Sequence, residues 1–492
     1  MPTKVSPSAW ERSREHRWAS HVGARRPHAR RPSRPLRRTG DGWTPEVRRR
    51  RRPTDKGVTV RKTTRKGWAL AAGVTGIALI ASACSGSNDA GEGEDSGDGG
   101  NVTLTVATFN EFGYTDEMFD RYEAENPGVT IEQKRAATAD EARENLNSRL
   151  AAGSGTSDVE AVEVDWLPEL MQFPDKFEDL TSPDVEGRWL EWKTEAATTA
   201  DGKLIGYGTD VGPQGIAYRS DLFQAAGLPA DREAVAELLG GDAATWEQFF
   251  EVGKTYTAAT GKPFFDSATA IYQGMVNQEE AAYEDPESGE IIAGDNPRVK
   301  EMFDQVVQAS VTDNLSAHFE QWSDDWTNSF QNDGFAVMLA PGWMLGVIEG
   351  NAAGVTGWDF ADVYPGGAGN WGGSYLTVPS QGENVDEAKK LAAWLTAPEQ
   401  QIEAFQSKGT FPSQIEAQES EAVLTATNEF FNNAPVGQIL VNRSQGIEAP
   451  FKGPNYFTVQ TAMSNALVQV DVNGEDPQAG WESFQQVVNG LG

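Results

Sequence analysis

The chain has one cysteine, Cys84, and four histidines in 492 residues. Three of those histidines, His16, His21 and His28, lie in an arginine-rich opening stretch, which leaves His318 alone downstream. A single cysteine closes no disulfide within the chain, and one cysteine with one histidine builds no Cys/His zinc site. Cys–His nucleophile pairs and zinc-protease helices are excluded on the same count. A Ser-His-Asp triad would have to run through His318, in "LSAHFEQWSDDW". Given the geometric demands of a triad, that histidine reads as an ordinary helix or loop residue. Phosphate-binding glycine motifs are missing too: "AAGSGTSDVE" sets its glycines ahead of a strand-like run, the reverse of a phosphate loop. No cofactor is expected. Metal is disfavoured, although a carboxylate calcium site stays open on composition.

Basic charge is also scarce once the opening is set aside. Residues 1–66 hold 21 of the 41 Lys+Arg but 5 of the 73 Asp+Glu, so residues 67–492 carry a formal balance of −48. Such a surface repels nucleic acid and anionic lipid, and no nucleic-acid partner is expected.

The cysteine has a distinctive setting. Arg61, Lys62, Arg65 and Lys66 precede an apolar run from Trp68 to Ile80, and the small residues Ala81, Ser82 and Ala83 lead into Cys84. A basic flank, a short apolar run and small residues make the layout of a secretory signal. Residues 68–83 fall short of the roughly 20 needed to span a bilayer. With cysteine directly after the small residues, segment 58–83 resembles a bacterial lipoprotein signal, although Ala81 stands where leucine is usual. That likeness implies a lipidated Cys84 as a membrane tether on the outer face of the cytoplasmic membrane. Residues 1–57, with runs such as "RRRRRP", read as an upstream stretch from a mis-assigned start. Residues 84–101 read as the lipidated cysteine and a flexible acidic linker.

From Val102 the pattern changes. "VTLTV" alternates at period two, "TDEMFDRYEAENPG" brings Met118, Phe119 and Tyr122 together at helical spacing, and "VTIEQ" returns as a strand. A helix over 140–152 and the strand "VEAVEVDW" follow. Thr245 with Gln248, and Asn384 with Glu387, fit capping boxes, and Pro398 closes the helix begun at the second. Repeated βα units predict α/β layers with mainly parallel sheets, and about 390 residues exceed one hydrophobic core. Two lobes are expected.

The order of "NPGVTIE", "DGKLIGYGTDVGPQGIAYRSDLFQAAGLP", "FAVMLAPGWM", "NWGGSYLTVPS", "DEAKKLAAWLTAPEQQ" and "GTFPSQ" resembles the extracellular solute-binding proteins of ABC sugar importers. The likeness runs from about residue 102 to 492. It implies a type II periplasmic-binding-protein-like α/β fold with three hinge crossings and ligand held between closing lobes. Lobe one would take 102–211 and 372–411; lobe two would take 212–371 and 412–492. It also implies a monomer that passes a sugar to permease subunits and performs no catalysis.

A sugar site needs aromatic faces beside carboxylates and amides, set past the C-terminal ends of strands. Asn110, Glu111 and Phe112 follow the first strand; Asp165 and Trp166 end the third. Asp210, and then Trp371, Gly373 and Ser374, fall at the first two expected crossings, where glycine lets backbone approach a ligand. Trp343 follows the strand "FAVML", and Trp322, Asp325 and Tyr456 complete the expected set. Trp189, Trp192, Trp246, Trp394 and Trp481 sit in helical patterns and are assigned to packing. A tethered glycoside hydrolase would share these residue types, since 68 acids always offer a carboxylate pair, but it does not require this order of segments. A structural surface protein does not need this concentration of tryptophan and aspartate at strand ends, and a binding protein for peptides or metal ions is a further alternative. "VEAVEVDW", "QWSDDW" and "NWGGSYLTVP" resemble binding proteins of soil actinobacteria that import plant oligosaccharides such as cellobiose.

Overall fold

A computed structural model describes residues 101–492. The leader, the signal segment, Cys84 and most of the linker lie outside the described residues. Strand β1 (Val102–Phe109) points Leu104 and Val106 into an apolar core, and both are wholly buried. The helix Asp116–Glu125 follows, opened by Thr115, whose hydroxyl accepts the Met118 N–H. Asp116 and Glu117 complement the positive end of the helix, and Asn126 closes it. Met118, Phe119 and Tyr122 form the buried face. The crossover returns as β2 (Val129–Ala136), parallel to β1 over eight residue pairs. The helix Ala139–Ala152, capped by Thr138 and by Gly153 in the left-handed region, leads to β3 (Val159–Glu163), also parallel to β1.

The expectation of mainly parallel sheets needs correction. β4 (Tyr207–Gly208) and β3 both pair antiparallel with β8 (Ser374–Thr377), giving the order β2-β1-β3-β8-β4. The second sheet is antiparallel throughout: β5 (Gln214–Arg219) lies between β6 (Val337–Pro341) and β7 (Trp358–Ala361). Only β1, β2 and β3 are joined by single crossover helices, which is what enforces parallel direction. β8 enters the first sheet after a passage from the second, so nothing local fixes its sense.

Each sheet has its own apolar body. Leu104, Val159, Leu376 and Leu391 belong to one around the first sheet. Ile216, Phe249, Phe303 and Trp481 belong to another around the second, and Trp326, Met338, Trp358 and Phe411 pack on that sheet's other face. The helix cap at Thr245 forms, its hydroxyl accepting the Gln248 N–H at 3.1 Å, but the Gln248 amide turns to the Leu238 carbonyl instead of closing the box. Asn384 makes no side-chain cap for Val385–Leu395, and Pro398 opens the next helix, Pro398–Lys408. The five tryptophans assigned to packing lie in or against these bodies.

Three segments run side by side between the sheets. Thr209 donates its N–H to the Ser374 carbonyl (2.9 Å), Val211 to Phe411 (2.9 Å), and Trp371 to Gly212 (2.8 Å). No residue with a side chain fits at Gly212, whose Cβ would overlap the Trp371 carbonyl oxygen.

Candidate ligand-binding site

Where the crossings meet the second sheet, three indoles form a wall. Trp343 lies in the first turn of the helix Gly342–Asn351, which starts as soon as β6 ends. Its Nε1 donates to the Trp371 carbonyl at 3.3 Å, and its ring meets Trp371 edge-on, 5.1 Å between centroids. On its other side Trp322 stacks at 6.2 Å with 20° between planes. Trp322 is held in the left-handed region (φ 72°) yet is 53% exposed. An exposed indole on a strained backbone is costly unless it serves a surface. Behind it Trp326 anchors the turn, its Nε1 donating to Asp266 Oδ2 at 2.9 Å. Asp266 is buried and its second oxygen has no partner, and that burial pushes its pKa up to about 6.

The first lobe supplies the charge. A Cβ placed on Gly372 would lie 3.6 Å from Trp343 Nε1 and 3.8 Å from Glu163 Oε1. An indole from one lobe and a carboxylate from the other thus face each other over a glycine. Burial raises the Glu163 pKa well above the usual carboxylate range, Asp165 raises it further, and Lys452 and Lys193 oppose them. Asp165 is buried and ion-paired with Lys452. Lys193 is wholly buried 3.8 Å over the Tyr375 ring with its ammonium unpartnered, and burial lowers its pKa to about 7 against the pull of Asp210 and Glu163.

The remaining expected residues divide. Asn110 and Glu111 are exposed at the end of β1. Glu111 pairs with Lys408 (2.9 Å) and Arg135 (3.3 Å), and the Lys408 hydrogen bond lowers its pKa. Glu111 and Trp343 line one cavity of about 570 Å³ together with Gly346, Lys408 and Asn428. Phe112 packs on Phe109 and Tyr114. Trp166 is 1% exposed within the first lobe's core. Asp210, Gly373 and Ser374 are buried at the crossings, where Asp210 Oδ1 accepts the Ser374 N–H and Gly373 packs against the Asp210 carbonyl. Asp325 is exposed in the first turn of the helix Asp324–Ser329, at its positive end. Tyr456 is buried, donating its hydroxyl to Asn277 Oδ1 at 2.9 Å.

Glu163, Lys193, Asp266 and Lys452 escape a reading of the sequence alone. "VEVDW" and "KGPNY" flag their neighbours, but a lysine inside "EWKTEA" looks like a solvated helix face. His318 binds Asp471 at 2.7 Å, while Ser316 donates to that same aspartate at 2.9 Å. The serine thus bonds the acid rather than the imidazole, which is the wrong order for a triad.

Two lobes joined by three adjoining segments, with one indole of the second and one carboxylate of the first both beside Gly372, are the architecture of a solute-binding protein. Comparisons agree. The chain belongs to the bacterial extracellular solute-binding protein family, whose model matches residues 117–432. A crystal structure described as extracellular solute-binding protein family 1 shares 46% identity, covering 79% of this chain and 99% of that one, with a TM-score of 0.72. A lactose-binding protein of Rhizobium radiobacter is 25% identical over 72% of this chain and 78% of its own. An ABC-transporter binding protein of B. animalis subsp. lactis, solved with β-1,6-galactobiose, shares the fold at 18% identity and a TM-score of 0.67, covering 79% and 97% of the two chains. The family is one of transport binding proteins, not enzymes.

Proposed function

We propose that this protein captures a short oligosaccharide between lobes 102–211/372–411 and 212–371/412–492 for an ABC importer. The observation that carries the reading is the Trp322–Trp343–Trp371 wall, whose central indole comes close to Glu163 beside Gly372. Indole faces suit the C–H patches of sugar rings, and carboxylates and lysines suit hydroxyls. The names of the relatives support the class: one binds lactose and another, 25% identical over 52% of this chain, binds arabinooligosaccharides. We place Trp322, Trp343, Trp371, Glu111, Asn110, Glu163, Asp165 and Lys452 at the ligand. Asp210, Gly373 and Ser374 serve the hinge beneath it. Two or more rings fit the length of the wall, and a cellobiose-type sugar is our first choice. Cys84, outside the described residues, would carry the lipid that tethers a monomer beside its permease.

Calorimetric titration of residues 101–492 with cello-, xylo-, malto- and galacto-oligosaccharides tests this. Saturable binding of one series supports the reading, and cello-oligosaccharides that fail where another series binds reject the cellobiose choice. Silence across the whole panel overturns sugar capture.

A further inference from the structure

Lys452 lies in segment 446–455, which has neither helix nor strand and joins the helices Val436–Ser444 and Tyr456–Asp471. The segment is fastened to the second lobe at several points. Phe451 donates its N–H to the Glu280 carbonyl at 2.7 Å. Asn455 donates to Glu284 Oε1 through its backbone (3.1 Å) and its side chain (3.0 Å). Gly453 lies so close that a Cβ there would collide with the Glu284 carboxylate.

From this fastening the Lys452 ammonium runs 4.6 Å over the Tyr456 ring and pairs with Asp165, just past β3 in the first lobe. The two side chains are only 8% and 11% exposed. Among the described residues neither has another ion-pair partner. Five positions on, the Phe457 ring lies 4.4 Å from the guanidinium of Arg143, in the first-lobe helix Ala139–Ala152. Arg143 is itself held by Glu169, at 2.9 and 2.5 Å. Two contacts made by one short stretch of the second lobe therefore end on charged side chains of the first.

We propose that the Lys452–Asp165 pair is a latch, a positioning contact that exists only when the lobes are together and sets how readily they close. This rests on the two-lobed capture reading. When the lobes part, both groups return to water and the pair contributes nothing to the open form. Its interaction free energy therefore falls wholly on the closed form and shifts the equilibrium by that amount. The pair is close to dry, so removing one partner leaves the other charge buried and unpaired, which penalises closure directly.

The test uses the full chain with Cys84→Ser and one label on each lobe, at the exposed positions Glu117 and Glu247. Spin-label distance distributions are recorded without any sugar, at low and high salt. A short-distance, closed population is expected in the parent chain. It should fall at least about tenfold in Lys452→Met and in Asp165→Asn. Lys452→Arg, and the charge-reversed double variant Lys452→Asp with Asp165→Lys, should restore it. A role limited to folding would lower thermal stability without moving the distances. A parent chain with no closed population, or one the variants leave unchanged, overturns the latch. Because no sugar enters the measurement, its failure leaves the oligosaccharide reading standing, and a sugar panel that stays silent does not alter the distances.

Discussion

Asp210, on the first crossing, accepts the backbone N–H of Ser374, on the second, at 2.8 Å. The same oxygen accepts the Thr209 hydroxyl at 2.8 Å, and Thr209 in turn donates its N–H to the Ser374 carbonyl. One carboxylate thereby pins two adjoining segments together between the sheets. Asp210→Ala leaves a buried N–H without an acceptor and should cost about 1–3 kcal/mol of folding stability. Asp210→Asn keeps an acceptor and should cost less. Urea unfolding of the three chains measures the difference.

Gly212 makes a sharper demand, because a methyl group there would overlap the Trp371 carbonyl. Its N–H is also bound, to Asn370 Oδ1 at 2.8 Å, so the backbone has no room to retreat. Gly212→Ala should destabilise by more than about 3 kcal/mol, among the largest effects of a single methyl group. A thermal midpoint unchanged from the parent would contradict this packing.

The indole wall predicts a graded loss of sugar affinity. Trp343→Ala removes the central ring and its hydrogen bond to Trp371, and should weaken binding by at least about tenfold. Trp322 is half exposed at the end of the wall, so Trp322→Ala should weaken binding of longer oligosaccharides more than of disaccharides. It should change stability by less than about 1 kcal/mol. Titration calorimetry across chain lengths, with urea unfolding beside it, separates the two variants.

Asp266 predicts a pH dependence. Its folded pKa, about 6, stands above the ordinary value of 3.8, so folding favours its protonated form. Well below the ordinary value of 3.8 the group is neutral in both states and carries no ionisation penalty. As pH rises through 6 the folded state must bear a buried charge, and that part of the stability is lost. Asp266→Asn keeps an oxygen for Trp326 and Gln321 and cannot ionise. Relative to the parent it should gain about 1–3 kcal/mol between pH 4 and pH 7, as read from urea midpoints.

Local chemistry announces much of this architecture. The helices expected from "TDEMFDRYEAENPG" and over 140–152 form there, and Thr115 and Thr138, each followed by acids, cap them. The alternation in "VTLTV" gives β1 its buried face. The direction of β8 is not legible, because it depends on a passage between lobes and not on any residue in "SYLT". The tryptophans after β6 and at the second crossing are legible because strand ends and glycines flag them. Trp166 has the same signature but is swallowed by the first lobe's core. Lys193 and Lys452 are invisible for the opposite reason. Lysine belongs in water by default, and only the meeting of distant segments puts these two out of reach of it.

The placement of β8 also has a kinetic consequence. β3 finds its partner more than 200 residues further along the chain, after the whole second sheet has been made. Until Ser374–Thr377 has been synthesised, β3 is an unpaired edge and the first lobe cannot finish folding. Contacts of such separation form slowly. A nascent chain of this protein therefore keeps its first lobe unfinished for most of its length, and that lobe is completed only after the second sheet has been made.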